Sequence, residues 1–305
     1  MALQQAAGAR EHLEAIGRHI IRDHMPEQHR LFFAGLPFVV IGVVDPAGQP
    51  WATLRAGRVG FMSAPDPRHL RIELPRDAAD PADAGMEDGD AVGLLGIDLA
   101  TRRRNRLNGT LRRDWSGGFT VVVGQSFGNC PQYIQQREAR FLRDPLSASA
   151  DPPLVTVGLD ERARRIIGHA DTFYVATSAD LADGQRQIDV SHRGGRPGFV
   201  RIGDDGALTI PDFAGNRFFN TLGNLLVNAR AGLVFVEDKT GSLLQMTGKA
   251  EVLADTSGIT AFPGAQRIWR FKPQQVVFRA AGLPLALSPL PDGWSPQTLR
   301  TGSWT

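Results

Sequence analysis

Apolar residues in this chain occur in short runs separated by turns rich in glycine and proline, a pattern that predicts β-strands. The segment Leu36–Gly57 contains two such runs, and Asp45–Gly48 between them predicts a hairpin turn. Further strands are predicted from AVGLLGIDL, NRLNGTL and FTVVVG. The acidic segment Asp77–Asp90 interrupts this series and predicts a surface loop.

A second cycle of the same kind begins near Ala170. The runs TFYVATS, QIDVSH, GFVRI and ALTI predict strands, and Gly203–Gly206 joins the last two as a hairpin. A predicted helix, NRFFNTLGNLLVNA, precedes the strands GLVFV, SLLQMTGKAEVL and QQVVFR. Strands that arrive as hairpins favour antiparallel barrels over a doubly wound sheet. The two cycles share the same order of elements, and this similarity predicts a duplicated barrel. No residue-by-residue repeat accompanies it.

The N-terminal residues have a different periodicity. Leu13, Ile16 and Ile20 recur at helical spacing, so an amphipathic helix is predicted over the first ~30 residues, with Pro26 ending it.

Composition narrows the class of protein. Hydrophobic residues make up 42% of the chain and charged residues 22%, which is typical of a globular fold. The formal net charge of +2 gives no support for a nucleic-acid partner. Cys130 is the single cysteine, so an intramolecular disulfide and a cysteine-rich zinc site are excluded, and the histidines show no metal-ligand spacing. No signal peptide or apolar membrane span is recognised, which predicts a soluble cytoplasmic protein.

The stretch DVSHRGGRPGFVRI, Asp189–Ile202, concentrates polar side chains on a predicted strand. Alternate side chains share a face, so Asp189, Ser191 and Arg193 point one way. His192 points the other way, either into a ligand pocket or toward a backbone carbonyl. The glycine pair that follows allows a ligand to approach the backbone or forms a turn. One face therefore offers a hydroxyl and a guanidinium to a ligand.

Asparagines recur at every fourth position of the helix that follows: Asn216, Asn220, Asn224 and Asn228. Asparagine is a mediocre helix former, so such a stripe suggests that the amides bond something. A phosphate near the start of the helix is one candidate, with Arg193 or Arg217 as bidentate donors. The other is that the asparagines bridge the helix to the barrel.

The segments DVSHRGGRPGFVRI, LTIPDFAGNRFFNTLGNLLVNARAGLVFV and LLQMTGKAEV resemble the flavin-binding core of the pyridoxamine 5'-phosphate oxidase-like family, in its subgroup of predicted flavin-nucleotide-binding proteins. The resemblance implies a split β-barrel that binds FMN, commonly at a dimer interface. It makes Arg193 the leading phosphate ligand. The full set of cofactor-binding residues that it implies is Ser191, His192, Arg193, Gly194, Ile210, Pro211, Asn216, Arg217, Asn220, Thr221 and Gln245.

The fold class expected is mainly β (α+β), as tandem antiparallel split β-barrels with short connecting helices. Residues 1–150 would form the N-terminal helix and first barrel, residues 151–305 the FMN-binding barrel and a Pro-rich tail, with a linker at Asp144–Pro153. The resemblance implies an FMN-dependent oxidoreductase that transfers a hydride to or from a small molecule, with a nicotinamide or protein electron donor. No residues match the substrate-binding arginine and histidine of true pyridoxamine phosphate oxidases. The alternative is a non-catalytic flavin or haem binder. A homodimer is expected, although two barrels in one chain can imitate such a dimer internally.

Two other features admit competing interpretations. Gly124–Gly128 fits the G-x-S-x-G nucleophile elbow of a hydrolase, but hairpins surround it and Pro131 lies where the elbow helix should begin. Cys130 is either a redox group at the flavin or a small buried apolar residue. An arginine group predicts a solvated strand end or an interface: Arg102, Arg103, Arg104 and Arg106.

Overall fold

The computed structural model describes residues 20–113, 117–147, 149, 151–181, 184–215, 220–253 and 262–304. Most of the predicted N-terminal helix, with Leu13 and Ile16, lies outside these residues. The prediction that Pro26 ends a helix is wrong, because residues 21–26 are not helical and Pro26 instead lies directly before helix α1 (Glu27–Ala34). Proline lacks a backbone N–H and has a fixed φ, so it is tolerated where a helix starts and not inside one.

The first half of the chain forms one seven-stranded antiparallel sheet. Its strand order is β2-β1-β5-β6-β7-β4-β3. Apolar side chains from these strands and from α1 form a continuous buried core. The strands are β1 (Phe38–Val44), β2 (Pro50–Ala56), β3 (Met62–Asp66), β4 (His69–Ile72), β5 (Ala91–Asp98), β6 (Arg103–Arg113) and β7 (Phe119–Gly128). Strand β8 (Arg137–Phe141) follows outside this sheet.

The second half repeats the arrangement in an eight-stranded sheet. Its elements are β9 (Leu154–Thr156), α2 (Glu161–His169), β10 (Thr172–Asp180), β11 (Arg186–Gly194), β12 (Arg201–Ile202), β13 (Leu208–Phe213), α3 (Asn220–Val227), β14 (Arg230–Glu237), β15 (Ser242–Val252) and β16 (Ala265–Arg279). The order is β11-β10-β14-β15-β16-β13-β12, with β9 added beside β16. This is the strand order of the first sheet, strand for strand. Strand β17 (Leu285–Pro289) pairs with β8. The predicted class, mainly β with tandem antiparallel split barrels and short helices, is confirmed.

Strand registers identify equivalent residues in the two sheets. Val40 pairs with Leu54 on one side and Leu95 on the other, and Tyr174 pairs with His192 and Val234 in the same way. The segment TLRAGRVGF of the first half therefore stands where SHRGGRPGF stands in the second. Both contain the same arginines, glycines and phenylalanine in the same order. The expectation that no residue-by-residue repeat exists is therefore wrong for this nine-residue segment. The strands on either side of it differ in sequence.

A shared irregularity supports the same alignment. The register shifts between Asn108 and Gly109 in β6, and between Thr247 and Gly248 in β15. At both glycines an added Cβ would lie 2.1 Å from a carbonyl oxygen of the neighbouring strand. A bulge with this close approach requires glycine in both halves.

The two halves pack against each other reciprocally. Gly93 of β5 lies against β11, where an added Cβ would be 2.6 Å from the carbonyl oxygen of Ile188. The equivalent Gly232 of β14 lies against β2, 2.4 Å from the carbonyl oxygen of Pro50 by the same measure. When residue i contacts residue j' and j contacts i', the interface has two-fold character. The two halves are thus related as the subunits of a symmetric dimer are.

The connection between the fourth and fifth strands is where the halves differ most. In the second half it contains α3, and in the first half it is the acidic segment with a 3₁₀ turn, Pro81–Gly85. The prediction of a surface loop here is wrong, because Asp80, Asp83 and Met86 are buried. Arg76 of the same connection pairs with Asp83, and Arg279 of strand β16 pairs with Asp80, which offsets the cost of removing the carboxylates from water. Within the described part of the chain, no helix has the length and apolar character needed to cross a membrane.

Candidate functional site

A polar cavity lies between the halves, beside β11 and α3 of the second half and β6 of the first. We name it the arginine cavity. Its floor and walls are formed by Arg104, Arg106, Asn129, Cys130, Gln132, Tyr133, Ser191, His192, Arg193, Gly194, Phe199, Pro211, Asp212, Phe213, Gly215, Asn220, Thr221 and Leu222. Residues of both halves are needed to build it.

Arg106 lies at the centre of the cavity floor and is only 6% exposed. Its Nη1 donates to Asp189 Oδ1 at 3.1 Å, and its Nη2 donates to Ser191 Oγ at 2.7 Å. Asn108 of the same strand also donates to Asp189, at 3.1 Å. The alternation predicted for β11 is confirmed, since Asp189 and Ser191 share the face that meets these groups. This network fixes the guanidinium plane and joins the two halves.

Several buried donors around the cavity have no hydrogen-bond partner among the described residues. They include Arg106 Nε, Arg193 Nε and Asn129 Nδ2, and His192 Nε2, which donates in one tautomer and accepts in the other, is unpaired in the same sense. Buried polar groups are almost always satisfied, and leaving a donor unpaired costs about 1–3 kcal/mol. A cluster of such donors on one cavity wall indicates that a group with several acceptor atoms belongs there.

Positive charge dominates the cavity. Arg193 pairs with Asp212 at 2.6 Å and Arg106 with Asp189, whereas Arg104 donates only to a carbonyl, that of Cys130 at 2.7 Å. Burial, together with the nearby Arg106, lowers the pKa of Arg104 to about 10. The guanidinium therefore remains charged at neutral pH, and an anion entering the cavity would meet a cation that has no carboxylate partner among the described residues.

His192 is a neutral imidazole in this setting. Burial, and then the charges of Arg104, Arg137 and Arg193, lower its pKa well below the ordinary value. Its ring contacts Tyr174 edge-on, with centroids 5.7 Å apart. It lines the cavity without adding to the positive charge.

An aromatic pair lines the cavity. The rings of Tyr133 and Phe213 stack with centroids 5.2 Å apart and an interplanar angle of 24°. Tyr133 has a φ of 63°, and its carbonyl oxygen would lie 2.0 Å from a Cβ added to Gly194. Gly194 is therefore needed because the loop after β7 crosses it. Cys130 on this loop is partly exposed at the cavity rather than buried in a core.

The structure brings together seven of the eleven cofactor-binding residues that the sequence predicts: Ser191, His192, Arg193, Gly194, Pro211, Asn220 and Thr221. Ile210 lies in the core of the second half, and its side chain does not line the cavity. Gln245 lies elsewhere, bonded to Ala52 and Asp80. Asn216 and Arg217 fall outside the described residues.

The asparagine stripe of α3 bonds the sheet beneath it. Asn224 Nδ2 donates to Thr177 Oγ1 at 3.1 Å, and Asn228 Nδ2 donates to Ser178 Oγ at 3.0 Å. Asn220 Nδ2 is 3.4 Å from Asp189 Oδ1 while it also faces the cavity. Of the two interpretations left open by the sequence, the bridge from helix to barrel accounts for Asn224 and Asn228. These amides anchor α3 as one wall of the cavity.

Sequence reasoning missed Arg104, Arg106 and Asn129 as site residues. The sequence predicts only a solvated strand end or an interface for the arginine group, and the interface is confirmed, since Arg106 donates to Asp189 of the other half. The available signal was the alternation of Arg104 and Arg106 on a strand. Such a pattern places two guanidiniums on one face, but only the packing of the halves shows that this face meets β11.

Ser126 does not form a nucleophile elbow. Gly124–Gly128 is the end of strand β7, and Ser126 is completely buried. Its Oγ is 2.8 Å from His29 Nδ1, while its backbone pairs with Arg22. A hydrolase nucleophile must be exposed on a sharp turn between a strand and a helix. Ser126 thus ties helix α1, through His29, and the segment before it, through Arg22, to the sheet.

A structural copy of the cavity floor lies at the opposite side of the interface, with Thr53 from the first half and two donors from the second half. Thr53 is equivalent to Ser191, Gln245 to Arg106 and Arg279 to Asn129, by the strand registers. In this copy a carboxylate, that of Asp80, fills the centre. It accepts from Thr53 Oγ1 at 2.6 Å and Gln245 Nε2 at 3.0 Å, and Arg279 Nη1 lies 3.1 Å away.

The ionisation of Asp80 follows from these contacts. Burial alone would raise its pKa, but Arg279, Arg55 and the hydrogen bonds from Gln245 and Thr53 hold the pKa below its ordinary value. A residual cavity beside it is lined by Arg55, Arg143 and Arg279 among others. Asp77 covers Arg279 from that side. The anion position of this copy is thus filled from within the chain.

No protein-family model matches this chain, and no curated protein matches it. Solved structures do. A putative pyridoxamine 5'-phosphate oxidase from Lactobacillus delbrueckii is 19% identical, and the match covers 35% of this chain and 95% of that one with a TM-score of 0.28. An FAD-binding protein from Mesorhizobium loti is 17% identical, over 41% and 96% of the two chains, with a TM-score of 0.28. HutZ, the haem storage protein of Vibrio cholerae, is 18% identical over 40% and 95%, with a TM-score of 0.27. The solved structures that match therefore include proteins described as belonging to the family that the sequence resembles.

Proposed function

We propose that the arginine cavity binds FMN and that the chain is an FMN-dependent oxidoreductase. The observation that carries this proposal is the convergence of buried donors that have no partner in the described part of the chain: Arg106 Nε, Arg193 Nε and Asn129 Nδ2. Such donors require a ligand with several acceptor oxygens, and a phosphate group supplies them. The resemblance of β11 and α3 to a flavin-binding core supports the same ligand.

The aromatic pair provides the second requirement of a flavin. Tyr133 and Phe213 present flat apolar surface to the cavity. Offset stacking on aromatic side chains favours a planar ring system at such a place. Burial, then the nearby Asp212 and Cys130, raise the pKa of Tyr133. The Tyr133 hydroxyl is therefore a neutral phenol that can donate a hydrogen bond to the ring edge.

The chain's residues would bind the cofactor, orient it and exclude water from it. When bound, the flavin ring supplies two-electron redox chemistry, which the protein sets by position and electrostatics. Arg104 and Arg193 would hold positive charge beside the ligand, which favours its more negative, reduced form. The substrate is proposed to be a small organic molecule, and the electron donor a nicotinamide or a protein. The homodimer implied by the family resemblance stays a proposal, which light scattering of the purified protein would test.

Reconstitution tests the cofactor. The purified protein is mixed with FMN or with riboflavin, and bound chromophore is measured by absorption after gel filtration. We expect FMN to bind more tightly than riboflavin by about tenfold or more, because hydrogen bonds between charged groups contribute about 1.5–3 kcal/mol. Bleaching of the bound FMN by a nicotinamide, followed by turnover with an acceptor, would support the oxidoreductase. Failure of both flavins to bind would overturn the proposal.

Haem is the second candidate ligand, and His192 is the observation that favours it. The imidazole is neutral, and its Nε2 is buried without a partner among the described residues. A neutral imidazole nitrogen is the form that ligates haem iron. Titration with haemin separates the two candidates: a Soret band that shifts in wild type but not in His192→Leu would indicate haem. FMN binding with an unchanged haemin spectrum would exclude it.

A further inference from the structure

We propose that the chain carries a second copy of the anion site, formed by Thr53 of the first half with Gln245 and Arg279 of the second, that is occupied by Asp80 of the same chain, and that Asp80 marks where the anionic group sits in the arginine cavity. The ligand's anion would then be held by Ser191, Arg106 and Asn129, and each chain would take one. This inference deepens the proposed function, yet it concerns the anion alone and does not require the ligand to be a flavin.

The equivalence rests on strand registers rather than on overall likeness. Arg106 pairs with Leu95 of β5 as Gln245 pairs with Val234 of β14. Both donors therefore stand at the same place in their sheets and point toward the edge strand of the other half. Gln245 reaches Ala52 and Asp80 there, and Arg106 reaches Asp189 and Ser191.

The partners of Asp80 are matched in the arginine cavity by donors that are still free. Arg279, which follows Phe278, corresponds to Asn129, which follows Gly128, and Asn129 Nδ2 is buried without a partner among the described residues. Arg106 Nε is free in the same sense. The donor positions that hold the Asp80 carboxylate in one copy of the site thus correspond to unpaired donors in the arginine cavity.

Ser191 completes the set. Its Oγ accepts from Arg106 Nη2 at 2.7 Å and from Thr221 Oγ1 at 3.0 Å. A hydroxyl has two acceptor sites and one proton, so with both acceptor sites used its own proton is left to donate. Thr53 uses the equivalent proton to donate to Asp80 Oδ2 at 2.6 Å. The hydroxyl proton of Thr53 is therefore used to bind Asp80, whereas the hydroxyl proton of Ser191 is available to bind a ligand.

Arg193 has a different role under this inference. Its Nη1 donates to Asp212 Oδ1 at 2.6 Å, so much of its charge is already balanced. Its equivalent, Arg55, does not hydrogen-bond Asp80 but donates to the carbonyl of Pro75. We therefore expect Arg106, rather than Arg193, to contribute most to anion binding.

The first test uses inorganic phosphate, which carries no flavin. Phosphate binding to wild type, Arg106→Gln, Arg193→Gln and Arg196→Gln is measured by calorimetric titration. Arg106→Gln copies Gln245, and Arg196 is an exposed arginine outside the cavity that serves as the matched control. We expect one phosphate per chain, a loss of about tenfold or more in affinity for Arg106→Gln, a smaller loss for Arg193→Gln and none for Arg196→Gln.

The outcomes separate this inference from the proposed function. Two phosphates per wild-type chain, or equal losses in Arg106→Gln and Arg196→Gln, would overturn the inference. Phosphate binding that depends on Arg106 in a protein that takes up neither FMN nor riboflavin would support the inference and overturn the proposed cofactor.

The second test opens the copy that Asp80 occupies. Asp80→Gly removes the internal carboxylate, and Asp83→Gly removes another buried carboxylate of the same segment that does not bond Thr53 or Gln245. Each variant is melted with and without phosphate. We expect phosphate to raise the Tm of Asp80→Gly more than that of wild type or Asp83→Gly. Equal shifts in all three would contradict self-occupancy. Should Asp80→Gly not fold, the one-phosphate stoichiometry of wild type still decides the question.

Discussion

The two halves of this chain are built alike, yet only one of them offers an open anion site. They share a strand order, a glycine bulge in the long sixth or fifteenth strand, and the arginine and glycine spacing of TLRAGRVGF and SHRGGRPGF. The difference lies in the connection from the fourth to the fifth strand, which is α3 in one half and an acidic 3₁₀ turn in the other. The sheets set where an anion can be held, and this connection decides whether a ligand or the chain itself supplies it.

The physical cause is how far each connection reaches into the interface. Helix α3 is held on the sheet by Asn224 and Asn228, which bond strand β10, so it lines the cavity without filling it. The acidic turn places Asp80 between Thr53 and Gln245, in the copy of the arginine cavity. Asp80 also caps the turn by accepting from the N–H of Ala82 at 3.0 Å. A carboxylate at a turn that already needs an acceptor is well placed to act as an internal ligand.

The largest effect is expected when the internal anion is neutralised. Asp80→Asn should lower the free energy of unfolding by about 3–5 kcal/mol, because Arg279 is left as a buried charge with only Asp77 beside it. Urea unfolding of the ligand-free protein measures this. Glu138→Gln, at an exposed position of β8, serves as a control that removes a carboxylate without burial. A loss below about 1 kcal/mol would mean that Asp80 does not support the first half.

The reciprocal packing gives the second expected effect. Gly93→Ala and Gly232→Ala each place a Cβ within 2.6 Å or less of a backbone oxygen of the other half. Backbone cannot rotate away as a side chain does, so each substitution should cost about 1–3 kcal/mol or more. The two losses should be similar if the interface is symmetric. Gly158→Ala, where nothing lies within 4 Å, is the control for thermal melting. A loss in only one variant would break the symmetry.

The fold could be read from the sequence because its signals are local. Apolar runs of strand length and turns such as Asp45–Gly48 depend only on neighbouring residues, and these hairpins formed as predicted. The repeat is hard to recognise in the sequence because its matching residues are confined to one short segment, TLRAGRVGF and SHRGGRPGF, between strands that otherwise differ. The burial of Asp80 was missed because acidic, proline-rich segments are ordinarily exposed. The Asp80 carboxylate is stable in a buried position because arginines of strands distant in sequence, Arg279 and Arg55, stabilise its charge.

The site could be predicted from one side only. Ser191, Arg193, Asn220 and Thr221 follow from β11 and α3, which carry the family resemblance. Arg106 lies far away in sequence, and its role depends on how the halves dock. Docking of this kind is a tertiary property that no local pattern encodes. The misplacement of Gln245 has the same origin, since it stands where Arg106 stands but in the other sheet.

The third effect concerns the neutral histidine, whose first-half equivalent is Leu54. His192 has a pKa well below its ordinary value in the folded protein, through burial and then through Arg104, Arg137 and Arg193. Below about pH 6.5 the unfolded chain therefore binds a proton that the folded chain does not. The free energy of unfolding should fall by about 1.4 kcal/mol for each pH unit below 6.5 through this group. Unfolding by urea at several pH values measures the slope.

His192→Leu copies Leu54 and removes the titrating group. We expect the variant to lose stability less steeply than wild type between about pH 6.5 and pH 5. Other histidines contribute equally to both proteins, so the difference between the two slopes isolates His192. Identical slopes would show that His192 is protonated in the folded state, which would also remove the reason to consider it as a neutral haem ligand.

The smallest effect tests the helices that precede the first strand of each half. Gly168 of α2 and Ala34 of α1 each stand four residues before equivalent strand starts, Thr172 and Phe38. A Cβ at Gly168 would meet nothing within 4 Å, and its backbone needs no positive φ. Gly168→Ala should therefore raise the free energy of unfolding by about 0.5–1 kcal/mol, since alanine has less backbone freedom to lose in a helix. Thermal melting measures it, and destabilisation would contradict the open surroundings of Gly168.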